Sequence, residues 1–222
     1  MIKSLDFALL IPARGGSQRI LHKNIVLVEG KPLIQYSIEE ALKVTSEVYV
    51  STDCKKIAEI SRDLNAKVIN RPSDLATSFS DVKHTVRHFL ENVGKKYSFL
   101  IFIQPTSPLL KASYILEGIE KLDRFDSIIS VCEEREFYWN KNGIPINYNI
   151  GQKPRTQDME PLFRENGAFY ITTTEKFLET NELTNGKVGF VAMPQQDSID
   201  IDTNEDLNLL KFMLKYKRDC KQ

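Results

Sequence analysis

The sequence lacks a charge excess, a regular cysteine framework and a long hydrophobic run. Its 222 residues carry 30 Lys plus Arg and 30 Asp plus Glu, so the formal net charge is zero. A neutral chain has no overall field that attracts nucleic acid or a membrane surface, so any anion binding must be local. Its three cysteines, an odd number without metal-ligand spacing, argue against a secreted disulfide scaffold or a zinc site. They are Cys54, Cys132 and Cys220.

Targeting and membrane-spanning patterns are also missing. The apolar stretch near the amino terminus is shorter than the core of a signal peptide, and no later segment approaches the length of a membrane span. We therefore expect a soluble, cytoplasmic protein without a nucleic-acid or membrane partner. A chain of 222 residues can form one large domain, or one domain with an insertion.

Several familiar catalytic motifs do not occur in this chain. The glycines fit neither G-x-G-x-x-G nor G-x-x-x-x-G-K-[ST], so neither a dinucleotide-binding dehydrogenase nor a Walker-type NTPase is supported. No G-x-S-x-G is present. His84 and His88 are four residues apart, but the intervening glutamate of a zinc protease and a third ligand are missing, so a helix surface is the better interpretation.

Short apolar runs alternate with amphipathic segments along most of the chain. The runs are rich in β-branched and aromatic residues and predict strands at 7–11, 47–52, 67–69, 99–104, 127–131, 167–172 and 188–193. Apolar residues three and four apart predict helices at 32–43, 54–64, 81–93, 112–122 and about 204–217, with Pro32 in a first helical turn. This alternation predicts an α/β fold of three layers, a mainly parallel twisted sheet with helices on both faces.

The alternation stops between residues 133 and 165. This stretch is polar and interrupted by glycines and prolines, and it shows no sustained helical period. We interpret it as an insertion into a domain formed by residues 1–132 and 166–222. Phe137, Tyr138 and Trp139 are adjacent within it, and a surface loop would leave their aromatic area exposed. Packing against another subunit is therefore our hypothesis for this segment.

The first predicted strand leads into a glycine-rich, basic loop with the sequence PARGGSQRILHKN. Gly15 and Gly16 allow positive φ and close approach of backbone N–H groups, Arg14, Arg19 and Lys23 supply positive charge, and Ser17 adds a donor. At the carboxyl end of a parallel strand, such a loop is suited to a polyphosphate. The alternative is a turn that needs glycines and carries solvated basic side chains.

Two further strand ends carry polar side chains. Arg71 precedes Pro72 after a short strand and could reach the same edge of the sheet, or simply precede a rigid turn. Gln104, Thr106 and Ser107 follow a strongly apolar strand in QPTSP, a rigid polar turn that suits small-molecule recognition. The alternative for Thr106 or Ser107 is the N-cap of the next helix.

Asp200 and Asp202 stand two residues apart in SIDIDTNEDL. If this stretch is extended, both carboxylates face one side and can share a hard cation, and Mg²⁺ is the natural candidate beside phosphates. Alternatively, Asp202 or Thr203 caps the last helix, with Thr203 and Asp206 at the spacing of a capping box, while Asp200 is solvated. The metal and capping interpretations are compatible.

The order of these motifs is more specific than any one of them. IPARGGSxxxxxKN, RP, QPTSP, NGAFYI and SIDIDTxEDL, in this order, resemble the acylneuraminate cytidylyltransferase family, which includes the CMP-sialic acid synthetases. The resemblance covers residues 7–215 and implies a fold of the nucleotide-diphospho-sugar transferase type. It implies attack of the anomeric hydroxyl of a nine-carbon ulosonic acid on the α-phosphorus of CTP, with release of pyrophosphate.

The resemblance also implies a role for each matching residue. The triphosphate loop comprises Arg14, Gly15, Gly16, Ser17 and Lys23, with Asn24 near the ribose and Arg71 and Ser80 on the nucleotide side. Gln104 faces the sugar, and Thr106, Ser107, Asn166 and Tyr170 belong to the substrate side. Asp200 and Asp202 hold Mg²⁺, which places them with Arg14 and Lys23 among the catalytic residues. Arg155 reaches the acidic substrate from the partner subunit of a homodimer.

Some positions depart from the family pattern. Glutamine stands at position 18, where a lysine is usual, so Arg19 is the candidate to supply that charge. Leu110 and Lys111 follow QPTSP in place of arginine, and Phe163 replaces a tyrosine. N-acylneuraminate is the first choice of sugar. Legionaminate and pseudaminate synthetases, then a CMP-Kdo synthetase, are alternatives, and a non-catalytic nucleotide-sugar sensor is a hypothesis of a different class.

Overall fold

A central sheet of seven strands organises the computed structural model, which describes residues 6–219; Cys220 lies outside this range. The strands are β1 (Phe7–Pro12), β2 (Leu27–Val28), β3 (Lys31–Pro32), β4 (Val48–Thr52), β5 (Lys67–Asn70), β6 (Phe99–Ile103), β7 (Ser127–Glu134), β8 (Leu162–Thr173) and β9 (Val188–Ala192). The helices are α1 (Leu33–Leu42), α2 (Lys55–Asp63), α3 (Val82–Asn92), α4 (Ala112–Glu120), α5 (Thr174–Thr180) and α6 (Asn204–Asp219).

The sheet has the order β5-β4-β1-β6-β8-β7-β9, and β2 pairs with β3 as a separate two-stranded ribbon. All neighbours are parallel except that β8 runs antiparallel to both β6 and β7. The carboxyl ends of β1, β4, β5 and β6 therefore meet at one edge, where the loops after them can build a common site.

Helices cover both faces of the sheet, as the sequence predicts. Apolar residues of α1, α2 and α4 pack on one face in a core that includes Ile38, Ile57 and Ile115. Phe89 of α3 and Phe177 of α5 pack on the other face. The amphipathic spacing of each helix thus places its apolar side on the sheet. None of the helices in residues 6–219 is long and apolar enough to cross a membrane.

Two local expectations differ from the structure. Pro32 is the N-cap of α1 and pairs with Leu27, so it lies just before the first helical turn. Neither Thr106 nor Ser107 caps a helix, because α4 begins only at Ala112, after the turn that the two prolines fix.

The predicted insertion contains more regular structure than its composition indicates. β7 continues to Glu134 and β8 begins at Leu162, so both strands extend into residues 133–165 and pair there. A bulge between Ile129 and Val131 shifts the register of this pair. Cross-strand hydrogen bonds sustain the extended arm although its side chains do not alternate between polar and apolar, which is why periodicity did not indicate it.

Candidate functional site

A cavity of about 460 Å³ opens at the carboxyl edge of the sheet. Loops after β1, β5 and β6 contribute to its wall, together with α3 and Asp202 from the segment before α6. Several predicted site residues line it: Arg14, Ser17, Arg19, Lys23, Asn24, Arg71, Ser80, Gln104, Thr106 and Asp202. Residues from distant parts of the sequence thus meet where parallel strands end.

The loop after β1 is fixed by its neighbour after β4. The backbone N–H of Gly15 donates to Asp53 at 2.9 Å, and a Cβ added at Gly15 would lie only 2.9 Å from the Cβ of Cys54. Neither Gly15 nor Gly16 has positive φ, so the expected conformational reason for these glycines was wrong. Gly15 is required by close packing, and a Cβ at Gly16 would meet open space.

The charged side chains of this loop already have protein partners. Lys23 donates to the backbone oxygen of Ile201 at 2.6 Å and to Oδ1 of Asp202 at 3.1 Å. Arg19 Nη1 lies 2.9 Å from Oδ2 of Asp202, with its side chain 67% exposed. Arg14 donates to the backbone oxygen of Thr77. Two cations thus hold both oxygens of Asp202 at the wall of the cavity.

Asp200 and Asp202 flank a completely buried Ile201, so their side chains lie on the opposite side from the core. The N–H of Ile201 donates to the backbone oxygen of Thr106 at 2.8 Å. Asp206 accepts from the N–H of Thr203 at 2.8 Å, and the Thr203 hydroxyl accepts from the N–H of Asp206 at 3.3 Å. This reciprocal pair confirms the capping box and fixes the end of the segment.

The two carboxylates differ in their electrostatics. The surrounding protein partly desolvates Asp200 and raises its pKa above the ordinary value, although the nearby Thr106 side chain opposes the shift. Partial burial also acts to raise the pKa of Asp202, but the hydrogen bonds and charges of Lys23 and Arg19 outweigh it and hold the pKa low. Asp202 is therefore an ion-paired carboxylate, while Asp200 makes no equivalent ion pair with the residues that the structure describes.

Arg71 and Asn24 bring unsatisfied polar atoms to the cavity. Arg71 is only 8% exposed, and its Nη1 donates to the hydroxyl of Thr85 at 2.9 Å. Within residues 6–219 its Nε and Nη2 are buried without a hydrogen-bond partner, as is Oδ1 of Asn24, whose amide nitrogen donates to the backbone oxygen of Arg14. Burial lowers the pKa of Arg71, and Asp53 partly offsets this effect. Such groups are costly unless a ligand satisfies them.

Ser80 belongs to a short loop that closes one side of the cavity. Its hydroxyl donates to the backbone oxygen of Asp74 at 3.1 Å and lies 2.8 Å from the hydroxyl of Thr77. The same loop provides the carbonyl that accepts from Arg14, so it is tied to the glycine-rich loop. The backbone N–H of Ser17 is bonded within its own turn, to the oxygen of Gly15.

The QPTSP turn links this cavity to a second one of about 210 Å³. Gln104 lines both cavities, and its side-chain oxygen lies 3.4 Å from the Thr106 hydroxyl. Ser107 is buried, and its backbone closes the turn onto Gln104, so its position is structural. Tyr170 lines the second cavity and donates to Glu165. Burial, then Glu165 and the charge of Asp200, raise the pKa of Tyr170.

Asn166 does not face either cavity directly. It is buried, donating to the Ser198 hydroxyl at 3.0 Å and accepting from the N–H of Ala168 at 3.2 Å. This side chain fastens β8 to the segment that leads to Asp200. The adjacent Gly167 has φ of 70°, and a Cβ there would lie 3.4 Å from Nε2 of Gln104. Asn166 and Gly167 thus shape the surroundings of Gln104 without lining either cavity.

Arg155 lies on the exposed arm and lines neither of the two cavities described above. Its guanidinium pairs with Asp158 at 2.7 Å, and its side chain is 75% exposed. The aromatic residues of the arm form a small cluster in which Phe137 and Trp139 both pack edge-on against Tyr148. Trp139 nevertheless remains half exposed.

Sequence reasoning did not identify three residues that support the site. Asp53 holds the glycine-rich loop, Thr77 accepts from Arg14, and Thr85 accepts from Arg71. Asp53 could have been found, because it directly follows β4 at the same edge of the sheet. Thr85 had no such signal, since it is one polar residue on the buried face of an amphipathic helix.

The described residues contain no group of three or more His, Cys, Asp or Glu side chains arranged to hold a metal ion. Asp200 and Asp202 offer hard oxygen donors, which suit Mg²⁺. Two carboxylates are a small ligand set. The cation would need further oxygens from water or from a bound phosphate.

The chain is similar to several known proteins. A family described as cytidylyltransferase matches residues 8–216. The chain is 34% identical to N-acylneuraminate cytidylyltransferase A of Danio rerio over 92% of its own length and 50% of the relative. It is 32% identical to pseudaminic acid cytidylyltransferase of Campylobacter jejuni and to CMP-N,N'-diacetyllegionaminic acid synthase of Legionella pneumophila, in each case over 95% of this chain and 97% of the relative.

Solved structures share the fold. A CMP:2-keto-3-deoxy-manno-octonic acid synthetase complexed with CTP superposes with a TM-score of 0.70 at 17% identity, covering 96% of this chain and 99% of the other. A 4-diphosphocytidyl-2C-methyl-D-erythritol synthase of Anaerococcus prevotii gives 0.70 at 12% identity, covering 96% and 100%.

These likenesses confirm the α/β fold of the nucleotide-sugar transferase type. The chain spans about half the length of the zebrafish relative and nearly all of the bacterial ones. Since the family match covers residues 8–216, the chain belongs to the cytidylyltransferase family.

Proposed function

We propose that this protein transfers CMP from CTP to a nine-carbon acidic sugar, with release of pyrophosphate. The observation that carries the proposal is the buried Arg71 guanidinium, which lines the larger cavity with two nitrogens that have no hydrogen-bond partner among the described residues. A buried cation of this kind is stabilised by a polar or anionic ligand. Asn24 offers an unsatisfied acceptor in the same cavity, suited to a ribose hydroxyl.

The triphosphate would lie against the glycine-rich loop. Arg14, Arg19 and Lys23 line the cavity there, and Ser17 adds a hydroxyl. Cations held in place before the reaction stabilise the charge that develops on departing pyrophosphate, because they do not need to reorganise. Arg19 stands beside Gln18 and supplies the charge that glutamine lacks.

Magnesium is part of this proposal. Asp200 and Asp202 would hold Mg²⁺ together with phosphate oxygens, and the ion would polarise the α-phosphate toward attack. The chain itself fixes both carboxylates through the buried Ile201, the carbonyl of Thr106 and the capping box at Thr203. The sugar hydroxyl would approach from the second cavity, which Gln104 and Tyr170 line.

We propose N-acylneuraminate as the first sugar to test. The names of relatives support three nine-carbon acids, because N-acylneuraminate, pseudaminic acid and legionaminic acid enzymes match at similar identity. The bacterial relatives match over nearly their whole length, so legionaminate and pseudaminate are full alternatives. An eight-carbon acid is the next alternative, since its synthetase shares the fold.

We also propose that residues 133–165 form the dimer interface. Their exposed apolar side chains include Trp139, Ile144, Ile146 and Ile150, and Phe163 on β8 adds to them. Apolar area of this kind on a projecting arm favours association with a second copy. Arg155 lies on the same arm and would reach the sugar bound by the partner.

The decisive experiment is product analysis after incubation with CTP, Mg²⁺ and a panel of sialic, legionaminic, pseudaminic and Kdo acids. We expect one CMP-sugar and equimolar pyrophosphate, only when all three components are present. Tight CTP binding with no product from any acid would contradict the transferase proposal and support a nucleotide sensor.

A second experiment addresses the dimer. Arg155→Ala should weaken sugar binding far more than CTP binding. Dimers that pair an Arg155→Ala chain with a chain defective at Arg14 should recover up to half of the native activity if the arginine acts across the interface. Mixed dimers with no activity would place the arginine in the site of its own chain, because neither chain then has a complete site.

A further inference from the structure

Asp202 is engaged by two cations of the loop that we assign to the triphosphate. Lys23 Nζ lies 3.1 Å from Oδ1, and Arg19 Nη1 lies 2.9 Å from Oδ2. A divalent cation at Asp202 therefore has to displace at least one of these side chains, and it is repelled by both while they remain. Lys23 and Arg19, which we expect to attract the nucleotide, thus oppose binding of the metal at Asp202.

The same two side chains also line the larger cavity. A triphosphate there offers Lys23 and Arg19 a second anion, so both can turn away from Asp202 without leaving a cation unpaired. The freed carboxylate and the phosphate oxygens would then form a joint ligand set for the metal. Asp202 itself stays in place, because its N–H donates to Asp206 at 3.0 Å.

From this geometry we infer that Lys23 and Arg19 couple metal binding to nucleotide binding: they block Asp202 until a triphosphate takes up their charge. The inference rests on the proposed function, since it assumes a triphosphate in the cavity and a metal at Asp202. It assigns Arg19 a task beyond phosphate binding, that of a competitor for the metal ligand. Coupling is reciprocal, so CTP and the metal must strengthen each other's binding by the same factor.

The test measures Mn²⁺ binding by electron paramagnetic resonance, with no nucleotide present. We expect Arg19→Gln to bind Mn²⁺ about two- to fivefold more tightly than wild type, which is the range for an exposed ion pair. Lys23→Met should bind Mn²⁺ about tenfold more tightly, because a partly buried, charge-assisted hydrogen bond is lost. Both variants should bind CTP more weakly in the presence of EDTA.

Arg14→Gln is the matched control. Arg14 belongs to the same loop and lines the same cavity, but it donates to the backbone of Thr77 and makes no ion pair with Asp202. This variant should weaken CTP binding and leave Mn²⁺ binding unchanged. Asp202→Asn should abolish Mn²⁺ binding in every background, so that the signal of free Mn²⁺ is retained.

The outcomes distinguish a failure of the coupling from a failure of the metal site in the proposed function. The coupling would be overturned if Arg19→Gln and Lys23→Met lost affinity for both CTP and Mn²⁺, or if their Mn²⁺ affinity equalled that of wild type. The proposed function would still stand if the wild-type protein bound Mn²⁺ together with CTP and this binding required Asp202. No protein-bound Mn²⁺ even with CTP, detected by water proton relaxation, would overturn the metal site itself. Arg19→Gln alone decides the matter if Lys23→Met fails to fold, because its side chain is mostly exposed.

Discussion

The two ends of the parallel strands carry ionic clusters that are organised in opposite ways. At the amino end, Glu47 accepts from Lys67 at 2.8 Å, from Tyr49 at 2.9 Å and from Tyr97, and the two tyrosine hydroxyls lie 2.8 Å apart. At the carboxyl end, Arg71 keeps two buried nitrogens without a partner at the wall of a cavity. The polar groups around Glu47 are hydrogen-bonded to one another, whereas Arg71 keeps hydrogen-bond donors that the described residues do not satisfy.

The difference indicates what each cluster does. A buried polar network whose members all have partners stabilises the fold, whereas unsatisfied groups around a cavity cost stability and prepare a binding site. Substitutions at the amino end should therefore change unfolding and leave ligand binding intact. Substitutions at the carboxyl end should do the reverse.

Asp202→Asn should give the largest effect, a fall in turnover of about a hundredfold or more, because a neutral amide replaces the proposed metal ligand. The free energy of unfolding should change by only about 1 kcal/mol, since the ion pairs that are lost are partly exposed. Pyrophosphate release at limiting Mg²⁺ and a urea titration measure the two quantities. Unchanged turnover would exclude the metal role.

Arg71→Met should separate binding from stability most clearly. We expect CTP to bind about ten- to a hundredfold more weakly, the range for losing hydrogen bonds to a charged group. The melting temperature should stay the same or rise, because an apolar side chain replaces a buried charge that has only Thr85 as a side-chain partner. Calorimetric CTP titration and thermal unfolding test this. A large loss of stability would assign Arg71 to the fold.

The sequence predicted the carboxyl end better than the amino end, for a physical reason. Residues such as Arg14, Arg71 and Gln104 directly follow apolar strands, and parallel strands bring their carboxyl ends together, so topology alone predicts that these side chains meet. The capping box at Thr203 and Asp206 was predictable because its spacing is local. The strand-end residues and the capping box were both predictable because each follows from the position of residues along the chain.

Other features depend on contacts between distant residues and had no local signal. The need for glycine at position 15 comes from Cys54, and the partner of Arg71 is a threonine on a helix. The Glu47 cluster joins residues that precede or begin three strands, and only the observed strand order brings Tyr97 beside Glu47. Such contacts follow from packing, which sequence periodicity does not specify.

Glu47→Gln tests the amino end. Its hydrogen bonds from Lys67 and then Tyr97 hold the pKa of Glu47 at about 2, below its ordinary value of 4.5. The charged form therefore stabilises the fold fully above about pH 4.5, and this contribution disappears as the pH falls toward 2. We expect the substitution to lower the free energy of unfolding by about 1–2 kcal/mol at pH 7. The free energy of unfolding should then fall less steeply below pH 4.5 than it does in wild type.

Its control is ligand binding. CTP affinity of Glu47→Gln should equal that of wild type, because Glu47 lies at the opposite end of the strands from the cavity. Urea unfolding between pH 3 and 7, with parallel CTP titrations at pH 7, measures both quantities. A variant that loses CTP affinity but keeps its stability would show that the two ends are not independent.

Thr203→Ala should have the smallest effect. Thr203 caps a helix and also lies next to Asp202, so the substitution tests fold stability and the catalytic site at one residue. It removes the hydroxyl that accepts from the N–H of Asp206, and an N-terminal cap of this kind contributes about 1 kcal/mol. Asp206 keeps its bond from the N–H of Asp202, so the carboxylate should move little and turnover should fall only a few-fold. If turnover instead falls as far as in Asp202→Asn while stability drops by the expected amount, then positioning of Asp202 depends on the whole capping box. In that case the site at the carboxyl end would depend on the hydrogen-bonded capping box of Thr203 and Asp206 as well as on its unsatisfied polar groups.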